Sequence, residues 1–416
     1  MSTPEPFTFR SIALPAFLPT LLFSIGEGAI IPIIPIVADD LGASLAIAGL
    51  IAAMIMVGQL VGDIPSGWLV SRVGERASMI GASAVAIGGL ALATVAPNPW
   101  ILGLAIFIIG IATAVFALAR HAFMTSFVPQ QYRARALSTL GGTFRLGFFV
   151  GPFIAAGVIH LTGSTSAVFL VHVIGCLGAA VVLLTLKNPG STFAGRSGAR
   201  VSSEGREFVA AESHGLFATI TRSRAVLVRL GSGAALIGGV RASRAVILPL
   251  WAVSLGIGDT TTAIIIGIAG AIDFALFYAS GQIMDRFGRL WSAVPSMVGL
   301  GTGLLVLAFS RGFDGPEAWF VGSAIFLALA NGIGSGILMT LGADLADKRN
   351  PAPFLGAWRF TGDLGSAGAP VLLAVVTGAV SLAAATGVIG VLGLVGAGIL
   401  LRYVPRYVPR NTARPR

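Results

Sequence analysis

Twelve stretches of this chain, at 12–37, 45–70, 77–96, 99–126, 134–160, 166–187, 225–253, 260–284, 291–310, 317–344, 353–378 and 380–402, are long runs of apolar residues. A hydrocarbon core is about 30 Å thick and takes about 20 helical residues to cross. Each stretch is long enough. None alternates apolar and polar residues with a period of two, so the spans are helices and not barrel strands. Composition agrees: 55% of the residues are hydrophobic and 11% are charged, against roughly 25% charged in a soluble domain. Such a chain cannot cover itself with a polar surface in water. The expected fold class is an all-α membrane protein with twelve transmembrane helices.

The net charge is +10. Strong basicity often marks a nucleic-acid binder, but here the bases sit in short loops between spans, and no nucleic-acid partner is expected. One set of loops holds Arg72, Arg76, Arg133, Arg135, Arg286, Arg289, Lys348, Arg349 and the tail "RYVPRYVPRNTARPR". The other holds Asp39, Asp40, Asp259, Asp314 and Glu317 with the single base Arg311. The excess of arginine marks the first set as cytoplasmic, so both termini lie inside, as an even number of spans requires. The tail is also suited to touch anionic lipid. The first ten residues are acidic apart from Arg10, and the apolar run after them is too long for a cleaved signal. The lone Cys176 forms no intrachain disulfide.

The polar, Gly- and Ser-rich segment at 188–222 divides six spans from six. It reads as a flexible cytoplasmic linker with a short amphipathic helix near Glu207 to Ile220. The expected domains are an N-terminal six-helix bundle at 1–187, the linker, and a C-terminal bundle with a basic tail at 223–416.

The halves are related. "GWLVSRVGERA" and "GQIMDRFGRLW" share Gly, then Arg-x-Gly, at one spacing. A shift of 214 residues lays Gly67, Arg72 and Gly74 on Gly281, Arg286 and Gly288, and Pro35, Leu41 and Gly42 on Pro249, Leu255 and Gly256. A shift of 218 lays Leu137, Thr143, Gly147 and Pro152 on Leu355, Thr361, Gly365 and Pro370. Similarity at half the chain length is the mark of a duplicated six-helix unit. The shared motif falls in the short cytoplasmic turns after spans two and eight. Gly permits a tight exit from a helix, and Arg offers a fork to a carboxylate or to the last helix carbonyls.

With twelve spans, a six-plus-six repeat, a central linker and Gly281-x3-Asp285-Arg286-x-Gly288-Arg289, the chain resembles the major facilitator superfamily. Within it, the resemblance is to the twelve-span drug:proton antiporters. The family implies two pseudo-symmetric six-helix bundles and a loop latch between them, here Gly67, Arg72, Gly74, Arg76, Gly281, Asp285, Arg286, Gly288 and Arg289. The first copy departs from the family pattern at Ser71 and Glu75, where an acid and a base are usual. Span five, "GTFRLGFFVGPFIAAG", is similar to the antiporter motif at Gly147, Gly151 and Pro152, with Ala155 and Ala156 where the family has two glycines. Ser138 replaces an earlier glycine, and Ile106 stands where span four usually carries a base. Ordinary small-residue packing is the competing reading of these glycines.

Glu27, Asp63, Arg120, Arg145, Arg241, Arg244, Asp273, Arg359 and Asp363 lie inside the apolar segments. A charge at a helix centre costs about 2.5 to 3.5 kcal/mol to insert, so these groups must face one another or a watered cavity. The repeat aligns Glu27 with Arg241 and Arg145 with Asp363. Asp63 and Arg120 come at similar depth and form a candidate structural pair. The family places Asp273 and Arg145, and Asp63 and Arg359, at the seam between halves. In "SIGEGAIIPIIP" the glycines are read as leaving Glu27 exposed and the prolines as loosening the helix. A carboxyl taken out of water favours its protonated form, so Glu27 is a candidate proton carrier or substrate ligand, with a fixed arginine partner as the alternative. The candidates for proton coupling or substrate binding are Glu27, Asp273, Asp363, Arg145, Arg241, Arg244 and Asn331. His121, His160 and His172 have no metal-ligand spacing. The glycines of "NGIGSGILMTLGAD" are read as close-packing residues, because no phosphate loop sits inside an apolar span.

No nucleophile, metal site or resident cofactor is expected, so the chain is not read as an enzyme. The resemblance implies a secondary transporter, expected to be a monomer, using a proton gradient to export small amphipathic compounds, and a composition rich in Ala and Gly with Arg over Lys suggests a bacterial cytoplasmic membrane. The alternatives are carriage of an organic anion or metabolite, which the arginines suit, and a non-transporting receptor on the same fold.

Overall fold

The computed structural model describes residues 17–128, 130–185, 216–346 and 352–408, with the backbone alone described at 125–127, 130–135, 138, 216–218 and 352–353. The acidic head, most of the linker, the side chains of Arg133 and Arg135, Lys348 and Arg349, and the end of the basic tail lie outside the described residues.

Every described element is helical. The first span is α1 (Leu18–Ile30) and α2 (Ile34–Asp40), bent by 40° between them. Pro32 lies in the break, and Pro35 sits in the first turn of α2, where a missing N–H does no harm. Then come α3 (Leu45–Val73), α4 (Glu75–Thr94), α5 (Pro99–Phe127), α6 (Gln130–Thr162) and α7 (Phe169–Thr185). A short α8 (Leu216–Arg222) overlaps the end of the expected amphipathic segment. The remaining helices are α9 (Ser232–Leu255), α10 (Asp259–Phe287), α11 (Leu290–Phe309), α12 (Pro316–Ile333), α13 (Ile337–Leu345), α14 (Ala352–Ala379) and α15 (Leu382–Tyr407). Among the described residues, eleven helices are long and apolar enough to cross a membrane, or twelve spans with the bent pair counted as one. The boundary between the last two spans, nearly invisible in the sequence, is set by Ser381. Its side chain caps α15 by accepting the Ala384 N–H at 3.1 Å.

Two compact units divide the chain. The first takes the described parts of Met1–Gly42, Met54–His214 and Asp259–Gly267, and the second takes those of Ala43–Ala53, Gly215–Gly258 and Ile268–Arg416. In the first, α1 packs on α6 and α7, and α4 packs on α5 and α7. In the second, α9 packs on α14 and α15, and α11 packs on α12 and α15. Span for span these are the same pairings.

Missing side chains set how close the helices come. A Cβ on Gly147 or Gly151 would strike the α1 backbone at Ser24 and Ala29, and one on Gly365, the repeat mate of Gly147, would strike Ala235 of α9. The Gly-Pro stretch of span five therefore packs α6 on α1 inside its own unit. Lipid tails are as apolar as leucine, so such close approach is a main source of helix association in a bilayer.

The turn glycines are constrained differently. Gly74 has φ 92° and Gly288 has φ 98°, while the repeat mates Gly42 and Gly256 have φ 83° and 70°. No described non-glycine residue has positive φ. Holding an L-residue there costs about 1 to 3 kcal/mol. Gly281, by contrast, lies in helix α10 with open space where a Cβ would go. Thermal unfolding in detergent separates the two: Gly288→Ala is expected to lose about 1 to 3 kcal/mol, while Gly281→Ala is neutral or gains up to about 1 kcal/mol from better helix propensity.

Candidate functional site

In the first unit the site is built around Glu27 of α1. The side chain is buried, with 1% of its surface exposed. This corrects the expectation that its flanking glycines expose it. Gly26 is filled by the backbone and ring of His172 on α7, and Gly28 by the Phe148 backbone on α6. The glycines let two helices close over the carboxyl. Its Oε1 accepts a 3.3 Å hydrogen bond from Gln59 Nε2 of α3, and its Oε2 has no hydrogen-bond partner. Arg120 of α5 is also buried, with its guanidinium 4.5 Å from the Phe144 ring centre. Asp63, on α3, is half-buried.

In the second unit Arg241 and Arg244 share a face of α9, three residues apart. Arg244 Nη2 meets Asp273 Oδ2 of α10 at 2.6 Å, with side chains 14% and 15% exposed. Asp273 is thus held by an arginine of its own unit. The pair is one-pronged: Asp273 Oδ1 and Arg244 Nε and Nη1 are buried without hydrogen bonds. Arg145 lies half-buried on α6. Asp363 sits one turn from Arg359 on α14, at 3.8 Å.

Arg241 marks a feature the sequence reading missed. The tenth span is broken between α12 and α13 at 334–336, with Gly336 at φ 80°. The glycines there were expected to bring helices together; they interrupt one. A break at membrane depth is tolerated only where protein or cavity satisfies the freed carbonyls. Arg241 Nη2 donates to the Gly334 carbonyl at 2.6 Å. Ser292 Oγ donates to Ile333 at 2.7 Å. The Ser280 hydroxyl reaches the carbonyls of Ile333 and Ser335 at 2.6 and 2.7 Å and donates to one at a time. Asn331 closes α12, its carbonyl accepting from Gly334 N at 3.1 Å, and its Oδ1 is buried without a partner. Ser296 also reaches the break, since a Cβ on Gly334 would strike its hydroxyl.

The second loop motif forms a local clamp. Arg289 donates from Nε to Asp344 Oδ2 at 2.8 Å, and from Nη1 to Asp285 Oδ1 and the Met284 carbonyl, each at 3.2 Å. Hydrogen bonding to Asp344 holds the Arg289 guanidinium above its ordinary pKa, so it stays charged at any cellular pH. The clamp ties the α10 C-terminus to α13 through Asp344, a residue the motif does not contain. Arg286 stacks on Phe287 and Arg72 on Trp68, at 5.4 and 5.2 Å. Gly67 is buried in α3, Gly74 begins α4, and Arg76 lies in its first turn. Among the described residues no three His, Cys, Asp or Glu side chains are grouped to hold a metal ion.

Comparison with known proteins places these features in a family. The model described as Major Facilitator Superfamily matches residues 16–370, and the chain belongs to that family. It is a multi-pass membrane protein of a transporter family and not an enzyme. Among curated relatives, the chain is 30% identical over 186 residues to "Multidrug resistance protein MdtG" of Enterobacter lignolyticus (strain SCF1), covering 44% of each chain. It is 24% identical over 149 residues to the "Galactose-proton symporter" of Escherichia coli (strain K12), covering 36% of this chain and 32% of that protein. It is 27% identical over 156 residues to the "Gallate transporter" of Pseudomonas putida, covering 36% and 34%. The matches span less than half the length of each of these relatives. The crystal structure of a POT family transporter in complex with 5-aminolevulinic acid shares the fold, with TM-score 0.77 at 14% identity over 97% of this chain and 98% of that one.

Two double-mutant cycles check the site. The half-exposed Arg289–Asp344 pair, read with alanine at each position, is expected to couple by about 1 kcal/mol or less. Arg244→Gln or Asp273→Asn alone is expected to cost about 3 kcal/mol or more, and the double substitution less than the sum, because each single change strands a buried charge.

Proposed function

We propose that this chain is a proton-coupled secondary transporter that takes up a small organic anion or similarly polar metabolite by alternating access. The observation that carries the reading is the division of chemistry between the units. One unit holds a buried acid, Glu27, and the other holds two arginines on one face of α9, Arg241 and Arg244. Guanidinium groups suit carboxylate and phosphate recognition. A proton on Glu27 lets an anion enter without carrying net charge against the membrane potential. A relative named as a proton symporter favours uptake over export, and one named as a gallate transporter favours a carboxylate. On this reading Asn331 and Asp273 contact or position the substrate, Arg145 and Asp363 are further candidates for coupling or binding, and the loop motifs act on the cytoplasmic side. On this reading the working halves are bundles at 1–187 and 223–416 joined by the 188–222 linker. The protein is a monomer in a bacterial cytoplasmic membrane with both termini inside.

Drug:proton export is the second reading. It is favoured by the identity with MdtG and by Gly147, Gly151 and Pro152. The close packing of those glycines on α1 gives them a structural reason to be there, which weakens that motif as a sign of export.

Uptake into proteoliposomes under an inward proton gradient tests the choice, with sugars, aromatic carboxylates and lipophilic cations as solutes. The reading expects a carboxylate to accumulate, and Arg244→Gln to reduce its uptake at least tenfold, as loss of a charge-assisted contact predicts. Proton-driven movement of the lipophilic cations alone would favour export.

A further inference from the structure

The histidine on α7 takes no part in the reading above, yet it is the most completely enclosed titratable side chain beside Glu27. His172 has 0% of its surface exposed. Neither ring nitrogen has a hydrogen-bond partner. Its ring meets Phe23 edge-on at 4.9 Å, and Phe23 is stacked on Phe116 at 4.1 Å. A Cβ on Gly26 would stand 2.6 Å from ring atom Cδ2, so the imidazole lies on α1 at the residue before Glu27. Cys176, one turn along α7, is buried as well. Glu27 Oε2 is also buried and unpartnered.

A buried polar atom without a hydrogen bond costs about 1 to 3 kcal/mol. Three such atoms on neighbouring residues of two packed helices are a local defect unless they serve each other, directly or across one water. The other helix packed on α7 is α4, whose titratable residues, Glu75 and Arg76, are confined to its first turn. Of the titratable groups on these packed helices, Glu27 directly follows the glycine that the imidazole covers, Cys176 lies one turn along α7 itself, and Arg120 is buried on α5.

We propose that His172 is the proton acceptor for Glu27, forming a second buried proton station within the first unit. The Glu27 carboxyl O–H bond breaks, its proton forms an N–H bond on the imidazole, and a carboxylate and an imidazolium remain. Gln59 holds the carboxylate while the charge is separated. The proposal rests on Glu27 being the proton-carrying acid of the cycle.

The test needs no substrate. The full-length protein in lipid is titrated with protons while nitrogen-15 histidine resonances and the carboxyl infrared band are followed. His172 is assigned by its loss in His172→Gln, and the Glu27 carboxyl by its loss in Glu27→Gln. Both signals are expected to titrate, and Glu27→Gln is expected to weaken proton binding at His172 at least tenfold, one pH unit. Cys176→Ser leaves both titrations in place. A Glu27 carboxyl that titrates beside a His172 that does not, or a His172 titration unmoved by Glu27→Gln, overturns the proposal while sparing Glu27 as the carrier. If neither group titrates, both readings fail. Because the key shift is read on native His172 in an isosteric Glu27 variant, a poorly folded His172 variant does not block the test.

Discussion

A bilayer interior supplies no hydrogen bonds, and the rest of this structure follows from that constraint. Each polar group carried to membrane depth needs a partner inside the protein. The break in the tenth span shows it most directly. At the break Arg241, Ser280 and Ser292 come from three other helices to bond the carbonyls at 333–335, and the Gly334 carbonyl also accepts the Ile337 N–H at 3.2 Å. Arg244 and Asp273 meet for the same reason. Among the atoms left unmatched, those on Glu27, His172, Asn331 and Asp273 stand out as places where a proton, a water or a solute belongs.

Close helix packing supplies the frame for those partners. Small residues let α6 lie on α1 and α14 on α9 at backbone distance, and the repeated pairings show that both units solve the packing problem in one way. The halves then diverge in chemistry on a common scaffold. Glu27 occupies in the first unit the repeat position that Arg241 occupies in the second. One is enclosed as an acid, and the other holds the carbonyl of a broken helix.

Much of this fold is legible in the sequence because membrane spans announce themselves by length and hydropathy. The duplication is legible because turn glycines such as Gly74 and Gly288 are fixed by positive φ. The sites were harder to read. The charged residues could be named, since any charge inside an apolar run stands out. Their partners could not, because pairing depends on helix rotation. So Asp344 was missed as the partner of Arg289, and Gln59 as the partner of Glu27. Ser280 and Ser292 gave no signal, since serine within an apolar helix usually bonds its own preceding turn. The glycines flanking Glu27 misled, because a missing side chain admits a neighbouring helix as readily as it admits water. The glycines of the tenth span misled for the opposite reason: they are also residues where a helix can stop.

In the function we propose, Glu27 carries the proton that drives solute movement. Proton entry into proteoliposomes, followed with an internal pH dye while an accepted carboxylate is added outside, tests it most directly when wild type and Glu27→Gln are compared. The account predicts that wild type acidifies the lumen when solute is added. It predicts that the Gln variant still exchanges labelled for unlabelled solute but moves no protons. Undiminished proton entry in Glu27→Gln would contradict it.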